Sequence, residues 1–298
     1  MRIRIATAVL VTAVVLFPAA GLAQLDAVKQ QIPARSTGMA GIGRSFANGG
    51  SALYLNPATL GVFKQYILGG GYSYLYSGEA EANAFSVEWT DSSPNPFNLG
   101  LGFGFNFIPR DSFDSHSYHG AMTYSVGSST AQFHLGLGAH GLFNVGGLDA
   151  DVWSGDVGVA LDFSQAFRIG AVGYNLVREG DIKLPRGTGG GMSFWSGPFM
   201  IAADVAAMFN VPGADGKEST QVTYGGAIQL APVNEVALRL GANHDTDPST
   251  TRLAGGLSFF VQQAFGLTLG YQQALSDETD ILASVMLEVY NPFGPPQM

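Results

Sequence analysis

From about Tyr66 onward the chain alternates apolar residues with small or polar ones at period two, in segments of about ten residues. A tilted strand needs that length to cross the hydrocarbon core of a bilayer. Leu99, Leu101, Phe103, Phe105 and Phe107 fall on one face, with Asn98, Gly100, Gly102, Gly104 and Asn106 on the other. Phe265, Leu267, Leu269 and Tyr271 oppose Gly266, Thr268, Gly270 and Gln272 in the same way. Near the end Ile281, Ala283, Val285, Leu287 and Val289 oppose Leu282, Ser284, Met286 and Glu288, a less clean case. One face suits lipid and the other suits water or small side chains.

The pattern predicts fourteen strands, at 65–77, 79–90, 97–108, 116–126, 131–144, 150–162, 165–176, 186–195, 198–208, 219–230, 234–243, 251–261, 263–273 and 279–290. An even count returns both ends of the sheet to one side, so connections after even strands should be short turns and those after odd strands longer loops. Ser196-Gly197 and Phe163-Ser164 fit the first class, Arg178 to Pro185 and Asn210 to Glu218 the second. The hairpin near Gly78 is shorter than this rule predicts and the turn from Asp91 to Pro96 longer.

A soluble β-sandwich would give the same alternation. Composition decides against it: the chain is 46% hydrophobic and 12% charged, too few charges to solvate a large exterior when nearly every segment carries an apolar face. The expected fold class is therefore all-β, a closed antiparallel transmembrane β-barrel of about fourteen strands. Closure leaves no strand edge unpaired in lipid. Past the first 24 residues no apolar run approaches the ~20 residues of a membrane helix.

The beginning of the chain has the layout of a secretion signal. Arg2 and Arg4 precede a largely apolar stretch from Ile5 to Phe17, and Gly21-Leu22-Ala23 offers small residues for cleavage before Gln24. The expected organisation is a signal peptide at 1–23, an N-terminal hatch at 24–64, the barrel at 65–291 and a tail at 292–298. Export would permit disulfides, but the sequence has no cysteine, so stability must come from packing and backbone pairing. Loss of Arg2 and Arg4 takes the formal charge from −9 to −11, which argues against nucleic acid as a partner.

Residues 25–64 break the alternation. Ser36-Thr37-Gly38-Met39-Ala40-Gly41-Ile42-Gly43 and then Ser51-Ala52-Leu53-Tyr54-Leu55-Asn56-Pro57-Ala58-Thr59-Leu60 bring small residues and turn formers. This stretch resembles the hatch of the long-chain fatty acid transporter (FadL) family and of the related PorV-type barrels, where a glycine-rich segment precedes a Ser-Ala-x-x-x-Asn-Pro-Ala-like motif. The resemblance marks Gly41, Gly43, Asn56, Pro57 and Ala58 and implies a fourteen-stranded barrel with the hatch folded into its lumen. A second likeness lies at Gly173-Tyr174-Asn175-Leu176, followed by Leu184-Pro185 and Gly189-Gly190-Gly191, which resembles a mid-barrel pattern of the PorV-type group. Fatty acid transporters carry long external loops, whereas the longest loop expected here is about ten residues.

A barrel of fourteen strands is too wide for its own side chains to fill, so it must hold water or a plug. Gly100, Gly102, Gly104, Gly136, Gly138 and Gly158 take the inward phase. They either make room for a plug or only relieve strain in a curved wall. Glu88, Asp156, Arg168, Asp204, Arg239, Arg252 and Glu288 are also inward, where they can stay hydrated or pair with the hatch, for which Arg35 and Arg44 are candidates. The alternative is a role in selectivity.

Sequence signals for catalysis are weak. Gly136-Leu137-Gly138-Ala139-His140-Gly141 matches a dinucleotide fingerprint but sits inside a strand and opens no helix. His134 and His140 share a face but lie roughly 20 Å apart along a strand, and His116 and His119 point to opposite faces. The acidic run His244-Asp245-Thr246-Asp247 lacks the spacing of a calcium loop and reads as solvated. The chain is read as a non-enzyme with no catalytic residue, no metal and no cofactor. Two functions remain open: an outer-membrane channel for small hydrophobic compounds, and a non-catalytic scaffold that partners other envelope proteins. Outer-membrane lipid is the expected surrounding of both, in the outer membrane of a bacterial cell.

Overall fold

The computed structural model describes residues 33–77, 80–109, 114–128, 130–144, 149–180, 184–212, 218–247, 249–261, 264–275 and 280–290. The expected signal peptide, the start of the hatch segment and the 292–298 tail lie outside the described residues.

The sheet is one closed antiparallel barrel of fourteen strands in which each strand pairs with its sequence neighbours. They are β1 (Tyr66–Ser77), β2 (Ala80–Asp91), β3 (Leu99–Ile108), β4 (Ser115–Gly127), β5 (Ala131–Phe143), β6 (Val152–Phe163) and β7 (Phe167–Gly180). The second half is β8 (Arg186–Ser196), β9 (Phe199–Pro212), β10 (Glu218–Val233), β11 (Val236–Thr246), β12 (Ser249–Val261), β13 (Phe265–Ala274) and β14 (Asp280–Tyr290). Closure runs from Ile67 opposite Tyr290 to Ser77 opposite Asp280. The sandwich alternative is thereby removed, because a sandwich keeps two separate sheets.

The period-two reading holds along the wall. Leu101, Phe103, Leu135, Leu137, Ile201, Leu240 and Leu253 are exposed on the outside, while the residues between them turn inward and are mostly buried. An apolar outer belt on a sheet without edges is the form in which strands can sit in lipid. The largest departures from the expected boundaries are in β7 and β9, which run to Gly180 and Pro212 instead of 176 and 208. Each strand carries a bulge near the expected end, marked by the positive φ of Asn175 (54°) and Asn210 (58°) and by shifts of pairing register. β9 gains one residue over β10, which reverses its inward and outward phase, and β7 gains two over β6, so in both the alternation is interrupted while the strand continues.

The rim where odd strands end is called upper here, and the rim where β1 begins is called lower. Lower-rim connections at 128–130, 164–166, 197–198 and 234–235 are tight. The longer one at 92–98 also holds the hatch: the Ser92 hydroxyl donates to the Phe63 carbonyl, and Ser92 N–H donates to the Gln65 carbonyl at 2.8 Å.

The described residues before β1, 33–65, are folded inside the barrel. They contain a short helix α1 (Ala34–Thr37), a second α2 (Gly50–Leu55) and a 3-10 helix at Pro57–Gly61. Asn56 is extended (φ −167°), as the proline after it requires. Its Oδ1 accepts the Ala58 N–H at 3.1 Å, capping the 3-10 helix that Pro57 opens. Met39, Ile42, Phe46, Ala58, Val62 and Phe63 form an apolar cluster with Ala160, Met200, Ala202 and Ala227 of the wall. A second cluster unites Ala47, Ala52, Leu53, Leu55 and Leu60 with Ala121.

Candidate functional site

The hatch is seated on glycine. A Cβ at Gly136 would fall on the Pro57–Ala58 peptide, and one at Gly158 would fall on the Asn56 side chain. At Gly102 it would come within 2.7 Å of Leu53, at Gly104 within 3.0 Å of Leu53, at Gly138 within 3.6 Å of Pro57 and at Gly100 within 3.7 Å of Leu60. All six inward glycines singled out in the sequence therefore lie against hatch residues. Others do the same: Gly170 faces the Arg44 carbonyl, Gly189 the Arg44 side chain, Gly241 the Met39 backbone, Gly256 the Gly38 Cα and Gly270 the Ala34 carbonyl. Close approach of hatch backbone at Gly136, Gly170, Gly241, Gly256 and Gly270, and of hatch side chains at the others, explains glycine at these positions better than curvature alone.

Side chains of the hatch and of the wall then satisfy carbonyls that the turns and short helices of the hatch leave over. Asn56 Nδ2 donates to the Arg44 carbonyl at 2.7 Å and to the wall carbonyl of Val159 at 3.2 Å. Thr123 donates to the Pro57 carbonyl, Tyr174 to the Leu55 carbonyl at 2.6 Å and Asn243 to the Ala40 carbonyl at 2.8 Å. Gly41 has φ +74°, a turn that favours glycine, beside Ala40 at φ 56°. Gly43 lies against Leu55, and its N–H donates to Asp204 at 2.8 Å.

The seven inward charges divide into two groups. Asp204 and Glu88 meet the hatch: Asp204 Oδ2 accepts the Gly43 and Arg44 N–H groups at 2.8 Å and faces the Arg44 guanidinium at 3.3 Å, and Glu88 accepts the Gly50 N–H at 3.0 Å. The others find partners within the wall. Arg168 pairs with Asp162 at 3.0 Å and lies over Phe63 at 4.6 Å. Arg239 donates to Gln229 and Ser258, and Glu288 accepts from Thr268 and Tyr290. Arg252 pairs with Asp245 and lies 3.8 Å from Asp280, while Asp156 lies 3.8 Å from His140. Cross-strand neighbours stand ~5 Å apart, so charges on adjacent strands reach one another before they reach the hatch. Asp245 corrects one expectation: it belongs to β11, is buried and pairs with Arg252, so it is not part of a solvated loop. Among the described residues no group of three His, Asp or Glu side chains is placed to hold a metal ion.

Above the hatch the lumen opens into a cavity of about 430 Å³. Its floor is the hatch, at Ala40, Gly41, Arg44 and Leu53 to Leu55. Leu142, Leu184, Met208 and Leu282 give it apolar walls, and His140, Asp156, Asn175, Arg252 and Gln272 give it a polar side. That size and mixture fit a site for a small, mostly apolar ligand with a few orienting contacts. Tyr54 of the hatch meets His119 at a tilt of 53° with ring centres 4.4 Å apart, and His119 stacks on His140 at 5.5 Å, so three flat rings line one side. Burial, with the Glu88 carboxylate, holds the Tyr54 phenol above its ordinary pKa range, so it stays neutral and accepts from Asn106 at 2.9 Å.

Asn175 organises the polar side, and sequence reasoning gave it no role beyond its motif. Its left-handed backbone marks the β7 bulge; its N–H donates to Asp156 at 2.8 Å, its Nδ2 to the Pro185 carbonyl at 2.7 Å, and its Oδ1 accepts from Ser154 at 2.8 Å. The Asn-Leu and Leu-Pro segments of the mid-barrel motif are thus joined through one side chain. Only an Asn inside a strand, where a left-handed residue is rare, could have signalled this.

No protein-family model and no curated protein matches the sequence. Among solved structures the barrel is similar to the CymD monoaromatic hydrocarbon channel, with TM-score 0.70, 16% identity, and 87% of this chain and 97% of that one covered. It is also similar to the Ralstonia pickettii toluene transporter TbuX, with TM-score 0.65, 13% identity and coverage of 87% and 98%. The Pseudomonas putida toluene transporter TodX follows at TM-score 0.61, 12% identity and coverage of 91% and 99%. The chain is thus a closed fourteen-stranded barrel that shares the fold of several FadL-type hydrocarbon transporter structures.

Proposed function

We propose that this protein is an outer-membrane channel for small hydrophobic compounds, exported by its N-terminal signal, with the upper rim facing the cell exterior. The observation that carries the reading is the cavity of about 430 Å³, partly lined by Leu53, Leu142, Leu184 and Met208, on the upper face of a hatch that fills the lumen beneath it. Such a cavity collects an apolar solute from the outside while the hatch blocks free diffusion, and a shift of the hatch then releases cargo toward the periplasm. The hydrocarbon channels of like fold support the same cargo class. The test is uptake of radiolabelled toluene, supplied at low concentration, by cells with and without the protein. Equal uptake in both, for toluene and for longer-chain hydrophobic compounds, would sink the channel reading. A stable protein partner in cross-linked native membranes would then support the scaffold reading, which the short upper connections at 181–185 and 213–217 favour.

A further inference from the structure

His140 and Asp156 leave a gap in the cavity wall. His140 Nε2 lies 3.1 Å from Asn175 Oδ1. The orientation of that amide is fixed, because its Nδ2 donates to Pro185 and its Oδ1 already accepts from Ser154. Nε2 must therefore carry a proton, and in the neutral ring Nδ1 is a lone pair. That lone pair faces Asp156 Oδ2 across 3.8 Å, too far for a direct hydrogen bond. Asp156 Oδ1 is already engaged by the Asn175 N–H at 2.8 Å. Two acceptors thus confront each other at the edge of the cavity, with side chains only 13% and 6% exposed. If the ring takes a second proton, Nδ1–H and the carboxylate are still separated by the same gap. While Nδ1 is a lone pair, a group with two donor hydrogens, such as water or an aryl amine, can lie ~2.9 Å from both and donate to each; with Nδ1 protonated, a hydroxyl accepts from it and donates to Asp156.

We infer that this gap is a specificity subsite that favours small aromatic cargo bearing a hydrogen-bond donor, a phenolic hydroxyl or an aryl amine, over bare hydrocarbon. The inference rests on the channel reading and deepens it. Between visits of cargo the pair is served by water. A ligand that brings its own donor replaces that water without loss, whereas a hydrocarbon leaves it in place or strands two buried acceptors. The ring rests against Tyr54, His119 and His140, with its apolar edge toward Leu55 and Leu142. A hydrogen bond to an ionised group at a largely buried site separates matched ligands by about tenfold in affinity.

The experiment measures binding of toluene, p-cresol and p-toluidine, which share a ring and a methyl group, to the full-length protein in detergent, corrected for partition into protein-free micelles. The expected result is that p-cresol and p-toluidine bind about tenfold tighter than toluene, and that the ratio collapses toward one in Asp156→Asn. His140→Phe keeps the flat ring but removes Nδ1, so it gives the same readout if the Asp156 variant does not fold. Equal affinities in the wild-type protein, or a donor preference that persists in a folded variant, overturn the subsite. Uptake and binding of toluene without preference would leave the channel reading standing, whereas failure of all three compounds to bind would overturn the subsite and, joined by equal uptake of the longer-chain compounds with and without the protein, the channel reading as well.

Discussion

The guanidinium of Arg44, carried by the hatch, lies 3.3 Å from the carboxylate of Asp204 on β9, and the same oxygen accepts the backbone N–H of Arg44 at 2.8 Å. The pair is nearly sealed from solvent, with side-chain exposures of 13% and 1%. Removing one partner of a buried pair strands the other and costs about 3–5 kcal/mol. Asp204→Ala is therefore expected to loosen the hatch before it opens the barrel. The check is maleimide labelling of Ser45→Cys, a small buried reporter in a chain with no native cysteine. Labelling should be slow with Asp204 present and fast without it; equal rates would mean that the pair does not hold the hatch.

The glycine seats make a steric prediction. Gly136→Val puts a branched side chain where the Pro57–Ala58 peptide lies, while Gly120→Ala adds a Cβ whose nearest neighbour is the Ala139 carbonyl at 3.9 Å. Overpacking of this kind costs about 1–3 kcal/mol. Gly136→Val should expose the Ser45→Cys reporter and raise single-channel conductance in planar bilayers, and Gly120→Ala should match the wild type in both. Unchanged conductance in Gly136→Val would show that the hatch shifts without unblocking the lumen.

The wall was legible because one rule governs it: a strand between lipid and lumen must alternate, so Leu99 to Ile108 and Phe265 to Ala274 announce their faces without reference to any partner. The inward glycines were legible as positions, but their purpose was not, since the hatch atoms that meet each one come from residues distant in sequence. The hatch has no sustained period because its backbone is a series of turns and short helices, tied to the wall by Thr123, Tyr174 and Asn243. Its two short helices and the 3-10 turn after Asn56 are too brief to set up a repeat that a sequence can show. The His140–Asp156 gap was hidden for a different reason: the β7 bulge changes the register beside Asp156, and alternation alone cannot show what a bulge re-aims.

The outer belt predicts a depth-dependent penalty. Leu240 lies near the middle of β11 and is 60% exposed on the outer face. Leu240→Arg at the bilayer midplane should cost about 2–4 kcal/mol. Refolding into phosphatidylcholine vesicles, followed by the heat-modifiable shift on gels, should show a smaller folded fraction at the same urea concentration. A midpoint equal to the wild type would place this face away from acyl chains.

Asn175 joins two properties that substitution can separate. Its φ of 54° is tolerable for asparagine or glycine and strained for a β-branched residue, while its side chain links Ser154, His140 and Pro185. Asn175→Gly keeps the backbone conformation and its N–H bond to Asp156, and loses side-chain bonds worth about 0.5–1.5 kcal/mol each. Asn175→Val loses the same bonds and adds about 1–3 kcal/mol of backbone strain. Thermal loss of the folded form should therefore come earliest for Val, then Gly, then the wild type. Coincident transitions for the two variants would mean that β7 can straighten at no cost, and that the bulge is not what fixes the polar side of the cavity.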